Sequence, residues 1–322
     1  MRVIVVGAGV TGLTSAVCLA ECGADVHVIA RDLPLETTSA VAAAWWYPYR
    51  ALPQDRVMAW ARRSYVVFAE LAADARSGVV MRDGVEVHRT PQPDPWWRSA
   101  VPDLRRVHDL PAGYVDGWSF RGPVVETAGY LPYLHRRLLQ AGGTLTRMAL
   151  GCLPTGGDVV VNCTGLASRA LVGDTELLPI RGQVVRLSQV GLDTVWLDAS
   201  GTSPTYVVPR STDIVVGGTD EEGSWDLQPD LAIAQEIVVR ARRLVPRLAA
   251  ADILGHRVGL RPGRGCVRLE RENREGASPV VHCYGHGGAG VTLSWGCAEE
   301  VAALVGYQNS RSELSSVPRS AS

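Results

Sequence analysis

The stretch IVVGAGVTGLTSAVCLA, Ile4 to Ala20, decides the fold. An apolar, β-branched run stops at Gly7, the glycines recur as Gly7-x-Gly9-x-x-Gly12, and a second apolar run of helical length follows. Residues 2–6 predict a strand, the run to about Glu21 a helix, and ADVHVIARD a second strand. In that setting Gly7 permits the turn and Gly9 lets the backbone approach a pyrophosphate. Gly12 lets helix and strand pack closely, and the helix N-terminus faces the phosphate charge. Ala8, Val10 and Thr11 complete the candidate cradle. An acidic residue usually grips the ribose hydroxyls at the end of the second strand; here that place reads Arg31-Asp32. Arg31 suits the 2′-phosphate of NADP, or a place over an adenine and its phosphates. Nicotinamide and flavin dinucleotides both stay open at this point.

The rest of the composition narrows the chemistry. The 322 residues suffice for one large domain or two interleaved ones. A net charge of -1 gives no support to nucleic-acid binding. All 32 basic residues are arginine, so no Schiff-base lysine and no lysine-bearing phosphate loop exists. Seven cysteines lie scattered without a Cys-x-x-Cys pair, and Cys18 and Cys22 read as small packing residues of the first helix. His282, Cys283 and His286 offer metal-ligand atoms, but the spacing places no third partner beside them, so no metal is expected. The first strand begins almost at once, leaving no room for a secretory signal, and no apolar stretch is long enough to span a bilayer. A cytoplasmic setting is the expectation, with a disordered tail over 309–322.

After the first unit the chain turns irregular in LETTSAVAAAWWYPYRALPQ. Thr37, Thr38 and Ser39 offer hydroxyls there, Ala42 to Ala44 bare backbone, and Trp45, Trp46, Tyr47 and Tyr49 a dense aromatic group. A helix is predicted from about Asp55 to Ala73, and GVVMRDGVEVHR reads as a hairpin turning at Asp83-Gly84. TAGYLPYLHRRLLQAGG has helical spacing, with Leu131, Leu134 and Leu138 on one face. DVVVNCTG reads as a buried strand whose small-residue end, around Cys163 and Gly165, is a second place for a cofactor to meet backbone. PTYVVPRSTDIVVGGT is a hairpin and AIAQEIVVRARRLVP an amphipathic helix.

The carboxy-terminal stretch VVHCYGHGGAGVTLSWGCAEEVAALVG bears most on the cofactor. An apolar strand runs into Gly285, Gly287, Gly288 and Gly290, then into a helix from about Val291. A nicotinamide site has no use for a second glycine-rich strand-to-helix turn nearly a whole chain away from the first. A flavin ring does, because a helix N-terminus stabilises the negative charge that collects on it when reduced.

VGAGVTGL, ARDLP, PTYVVP, GGT…GSWDL, VGLRP and YGHGGAGVTLSWGCAEE, in that order, resemble the D-amino-acid oxidase family over about Arg2 to Gly306. The resemblance implies FAD. It extends the cofactor set to Arg31, Asp32, Thr38, Ser39, Ala43, Ala44, Trp45, Ala149, Cys163, Gly165, Gly287, Gly290, Val291 and Thr292. It implies an α/β fold: a Rossmann-like FAD-binding domain (1–50, 124–185 and 262–308) interleaved with an α+β substrate-binding domain (51–123 and 186–261) on a mostly antiparallel sheet.

Site roles follow residue by residue. Arg261 resembles the arginine that holds the substrate carboxylate through two points, a task for a planar fork. Arg264 and Arg268 are neighbouring alternatives. Tyr206 resembles the tyrosine bonded to the same carboxylate, and Gly288 the residue whose carbonyl accepts from the substrate amine. Trp46 and Tyr47 stand where the family lines the pocket mouth and the flavin face. The implied reaction is hydride transfer from a D-amino acid, giving a 2-oxo acid and ammonia, with oxygen taken to hydrogen peroxide.

Two departures bear on substrate. The second active-site tyrosine common in the family is replaced by Thr202 or Asp220 at its two usual positions. D-aspartate oxidases carry arginine after GGT, where Asp220 has the opposite sign, so neutral D-amino acids are expected, with basic ones a further option through pairing to Asp220. Other readings are a glycine or sarcosine oxidase, a non-catalytic flavoprotein and an NADP-dependent reductase. A homodimer is left open.

Overall fold

The computed structural model describes residues 1–49, 51–201 and 203–307; the calls on Thr202 and on the 309–322 tail lie outside the described residues. Two sheets organise the chain. The first has the order β14-β15-β7-β1-β2-β6. Its strands are β1 (Arg2–Val6), β2 (Asp25–Ala30), β6 (Thr144–Arg147), β7 (Val159–Asn162), β14 (Arg268–Glu272) and β15 (Val280–Tyr284). All neighbours in it run parallel except the edge strand β14. The second sheet holds β3 (Val79–His88), β4 (Arg105–Arg106), β5 (Asp116–Val125), β8 (Leu178–Ser188) and β9 (Val195–Asp198). It also holds β10 (Thr205–Pro209), β11 (Asp213–Gly217), β12 (Glu221–Glu222) and β13 (Ile253–Gly263). It is antiparallel throughout except where β3 meets β9.

The helices are α1 (Val10–Glu21), α2 (Gln54–Leu71), α3 (Thr127–Gln140), α4 (Ser168–Leu171), α5 (Leu231–Leu244) and α6 (Gly290–Val305). Helices α1 and α6 are apolar around most of their circumference, and both are buried against each other. On the outer side α2 crosses α6 at Gly296, where an added β-carbon would meet Trp60 Cα at 2.3 Å. Helix α3 buries Leu131, Leu134 and Leu138 fully, as its spacing predicts. Helix α5 lays an apolar stripe, Ile237 and Ala241 among it, on the second sheet.

Three expectations need correction. The hairpin at Asp83-Gly84 is one uninterrupted strand, β3: Gly84 pairs with Phe120 on one side and Val195 on the other. Gly84 is there for the Trp45 ring, which a β-carbon would meet at 2.3 Å, and not for a turn. Strand β8, which the sequence divides at 185, lies wholly in the second sheet. Helix α2, assigned from sequence to the substrate domain, packs on α6 beside the first sheet.

Three glycine- or small-residue turns leave β1, β7 and β15 at the same, carboxyl, edge of the parallel sheet. Val6 pairs with Asn162 and Asn162 with His282, so the turns at Gly7, Cys163 and Gly285 are adjacent in space although far apart in sequence. That edge is where open parallel sheets bind ligands.

Candidate active site

One cavity of about 1010 Å³ runs along this edge and on to the second sheet. Its lining begins at Arg31 and Asp32, passes Gly7 to Thr11, and continues past Thr38, Ser39 and Ala43 to Trp45. From the far sides it is closed by Ala149, Cys163, Gly165, Gly287 and Gly290 to Thr292. Of the cofactor positions read from the sequence only Gly12 is outside this lining, because its work is internal. A β-carbon on Gly12 would sit 2.0 Å from the Gly7 carbonyl oxygen, and one on Gly7 2.4 Å from that of Cys163. These contacts press helix α1, strand β1 and the β7 turn together.

The N-termini of α1 and α6 meet the cavity with no capping side chain on their own N-cap residues and no acidic residue in the first turn. Their positive dipole ends are therefore directed at whatever occupies it. Ser39 Oγ accepts from the Val10 N–H at 3.0 Å, tying the irregular segment to the start of α1. Ala44, at φ 57°, adopts the left-handed region beside the cavity while its carbonyl accepts from Val125. Arg31 points along the surface and pairs with Asp32 at 2.6 Å.

The opposite end of the cavity is built by the second sheet. Arg261 comes from β13 opposite Ile180 of β8, and its Nη1 donates to the Thr219 carbonyl at 2.9 Å. The guanidinium lies over Gly182. Tyr206 comes from β10, its ring against Gly217 and Gly218, where β-carbons would approach it to 2.2 and 2.7 Å. Burial raises the Tyr206 phenol, against the neighbouring Arg261, and keeps it a donor. Gly288 faces the same space, with a β-carbon position 2.7 Å from the Tyr49 ring and 3.7 Å from Arg261 Cδ. Arg261, Tyr206 and Gly288 thus share one wall. Arg264 and Arg268 do not join them: Arg264 pairs with Asp174 and Glu176, and Arg268 with Glu270 and Glu272.

The aromatic segment splits by alternation. Trp45, Tyr47 and Tyr49 line the cavity, whereas Trp46 is buried on the other side with its Nε1 donating to the Ala61 carbonyl. The pocket place implied for Trp46 is therefore not the one it takes. Tyr47 OH donates to the buried Glu86 at 2.9 Å, and burial pushes that carboxyl up to about 7. Tyr49, read from sequence only as part of the aromatic group, carries the larger consequence: its OH donates to Asp220 at 2.7 Å. Asp220, expected from sequence to meet a basic substrate side chain, lies outside the cavity lining, its side chain being 5% exposed and its Oδ1 3.7 Å from Arg261 Nη1. No sequence spacing could have paired positions 49 and 220.

The histidines and cysteines also regroup. His282 contacts Glu272 and Asn162. Cys283 and His286 instead gather with Cys297 of α6, all buried, with their ligand atoms within 4.8 Å of one another. The third partner absent from the spacing is thus supplied by the next helix. Burial lowers His286 to about 4, so it is neutral, and contact with Cys283 together with burial raises the Cys163 thiol.

The family model for FAD dependent oxidoreductases of the DAO type matches residues 2–304. The chain belongs to the D-amino-acid oxidase family of FAD-dependent oxidoreductases. A D-amino-acid oxidase of Rubrobacter xylanophilus is 52% identical over 95% of this chain and 96% of its own length. One of Streptomyces coelicolor is 44% identical over 94% and 96%. The solved glycine oxidase of Geobacillus kaustophilus superposes with a TM-score of 0.81 at 19% identity, over 96% of this chain and 95% of that one, which shows a shared fold. FAD is the cofactor of this D-amino-acid oxidase family member. The cavity fits it: the N-termini of α1 and α6, neither with an acidic residue in its first turn, open on the same space of about 1010 Å³.

Proposed function

We propose that the chain oxidises D-amino acids, taking neutral ones and, as a further option, basic ones, with oxygen as the final acceptor. The observation that carries this reading is the convergence of Arg261, Tyr206 and Gly288 on one wall of the cavity whose other end is the dinucleotide cradle. When bound, FAD supplies two-electron acceptance from the amino acid and delivery to oxygen as hydrogen peroxide.

The protein's own share is orientation. Arg261 offers a planar pair of donors to the substrate carboxylate, and Tyr206 offers a third beside it. Both are held before substrate arrives, Arg261 by the Thr219 carbonyl and Tyr206 by the glycines beneath its ring. Anchoring the carboxylate there, with the amine toward the Gly288 carbonyl, leaves a single face of the α-carbon to the cofactor, and so a single enantiomer. Trp45, Tyr47 and Leu197 form apolar or aromatic wall around the side chain. The imidazole in the lining, His286, is lowered by burial to about 4 and so is a weak base, which agrees with a site that does not depend on a side-chain base. Among the described residues no helix is long and apolar enough to cross a membrane. A cytoplasmic enzyme, monomer or homodimer, is the setting we propose.

The test is anaerobic reduction of the purified holoenzyme by D-alanine, D-arginine, L-alanine and glycine, each followed through the oxidised-flavin absorbance. Bleaching by D-alanine or D-arginine and not by L-alanine is expected. Bleaching by glycine alone would transfer the chain to the glycine-oxidase reading, and no bleaching by any of them would reject catalysis of this kind.

A further inference from the structure

The wall that holds Arg261 contains a second, opposite charge. Asp220 follows β11 directly after Thr219, the residue whose carbonyl fixes Arg261. Its Oδ1 lies 3.7 Å from Arg261 Nη1 and its Oδ2 accepts from Tyr49 OH at 2.7 Å. Tyr49 lines the cavity and Asp220 does not, so the carboxylate sits behind the tyrosine and the arginine. It acts on a ligand through them.

Resting on the reading above, we propose that Asp220 is a built-in counter-ion of Arg261, locked by Tyr49, which moderates the grip on the substrate carboxylate and turns away D-amino acids carrying a second carboxylate.

The physical argument has two parts. A carboxylate fixed beside the guanidinium compensates part of its charge before any ligand arrives, so an incoming carboxylate meets a weaker field than a lone arginine would give. A side chain with its own carboxylate adds a further negative charge near a buried one that Tyr49 holds in place, and at 5% exposure Asp220 is weakly screened by solvent. Tyr49 has a second task. Its ring covers Gly288, so the bond to Asp220 also fixes the surface beside the place of the substrate amine. Asp220 and Tyr49 are thus positioning and specificity residues, and Asp220 occupies one of the two positions at which the chain lacks the second tyrosine.

The two residues predict opposite changes, which a purely structural role would not produce. Asp220→Asn keeps an acceptor for Tyr49 and removes the charge. In the holoenzyme, titration with propionate, read by the change in flavin absorbance, is expected to give a Kd about tenfold lower than wild type. The KM for D-alanine falls with it, and turnover of D-aspartate relative to D-alanine rises. Tyr49→Phe keeps the ring and frees Asp220 toward Arg261, so the propionate Kd rises. An Asp220→Asn enzyme with unchanged or weaker propionate binding, or with an unchanged D-aspartate to D-alanine ratio, overturns the proposal. So does Tyr49→Phe shifting the Kd in the same direction as Asp220→Asn. If Asp220→Asn fails to retain flavin, the sign of the Tyr49→Phe shift decides. Propionate binding needs no turnover: a wild-type protein that binds propionate but is not reduced by any D-amino acid rejects the oxidase reading and leaves the counter-ion still measurable.

Discussion

Arg261 lies over Gly182 of the neighbouring strand so closely that a β-carbon on Gly182 would come within 2.5 Å of the guanidinium carbon and both terminal nitrogens. Gly182 pairs with Gly259 across the sheet, two residues before Arg261, so the glycine creates the shelf on which the arginine proposed to hold the substrate carboxylate rests. Gly182→Ala is a mild change for a strand but moves the guanidinium. We expect the KM for D-alanine to rise about tenfold or more with flavin content unchanged, a loss of about 1.4 kcal/mol or more in carboxylate binding. Steady-state kinetics beside an absorbance ratio for bound flavin checks it.

Gly12→Ala tests the cradle. The added methyl would lie 2.0 Å from the Gly7 carbonyl oxygen, backbone that cannot yield without pushing α1 away from β1. The expected product is a folded protein that purifies without its yellow cofactor, or one whose flavin is removed by dialysis while the wild type keeps it. A stoichiometric flavin content in this variant would contradict the packing argument.

Gly296→Ala tests the crossing of α2 and α6. Its β-carbon would meet Trp60 Cα at 2.3 Å and the Trp60 carbonyl oxygen at 2.5 Å, at a position where alanine would otherwise favour the helix. Overpacking of this kind costs about 1–3 kcal/mol, so a drop of several degrees in Tm is expected, larger than any propensity gain. Thermal unfolding of the two proteins at equal flavin loading measures it.

Glu86 makes stability depend on pH. Burial raises the folded carboxyl from its ordinary 4.5 to about 7, with the Tyr47 hydrogen bond pulling the other way. Between these values the folded protein holds a proton that the unfolded chain has released. The contribution of Glu86 is therefore complete below pH 4.5 and is lost as pH rises through about 7, a difference on the order of 3 kcal/mol. Glu86→Gln removes the titration. Denaturant unfolding from pH 5 to 8 should show the variant gaining on wild type as pH increases; parallel curves would refute it.

Much of this molecule was legible in the chain because its signals are local. The strand–glycine–helix–strand order at Ile4–Ala20, the apolar face of α3 and the second glycine turn at Gly285–Gly290 each follow from residues a few positions apart. Backbone freedom and side-chain period act at that range. The same locality misled at Asp83-Gly84, whose turn chemistry is overruled by pairing on both sides and by the Trp45 ring. The pocket place of Trp46, by contrast, came from the family resemblance, and alternation along the segment sends that ring into the core.

By itself the sequence determined the strand–glycine–helix–strand unit, the absence of lysine chemistry and, through the ordered motifs, the family; it put forward Arg261 and Tyr206 as candidates. Only the tertiary structure decided which charges meet: that Arg261 and not Arg264 or Arg268 stands at the cavity, that Tyr49 reaches Asp220, and that Cys297 joins Cys283 and His286. The reason is that electrostatic and hydrogen-bond partners are chosen by distances of a few ångströms across packed elements. Positions 49, 220 and 261 come together through the stacking of a loop and two strands, an arrangement with no trace in their separation along the chain.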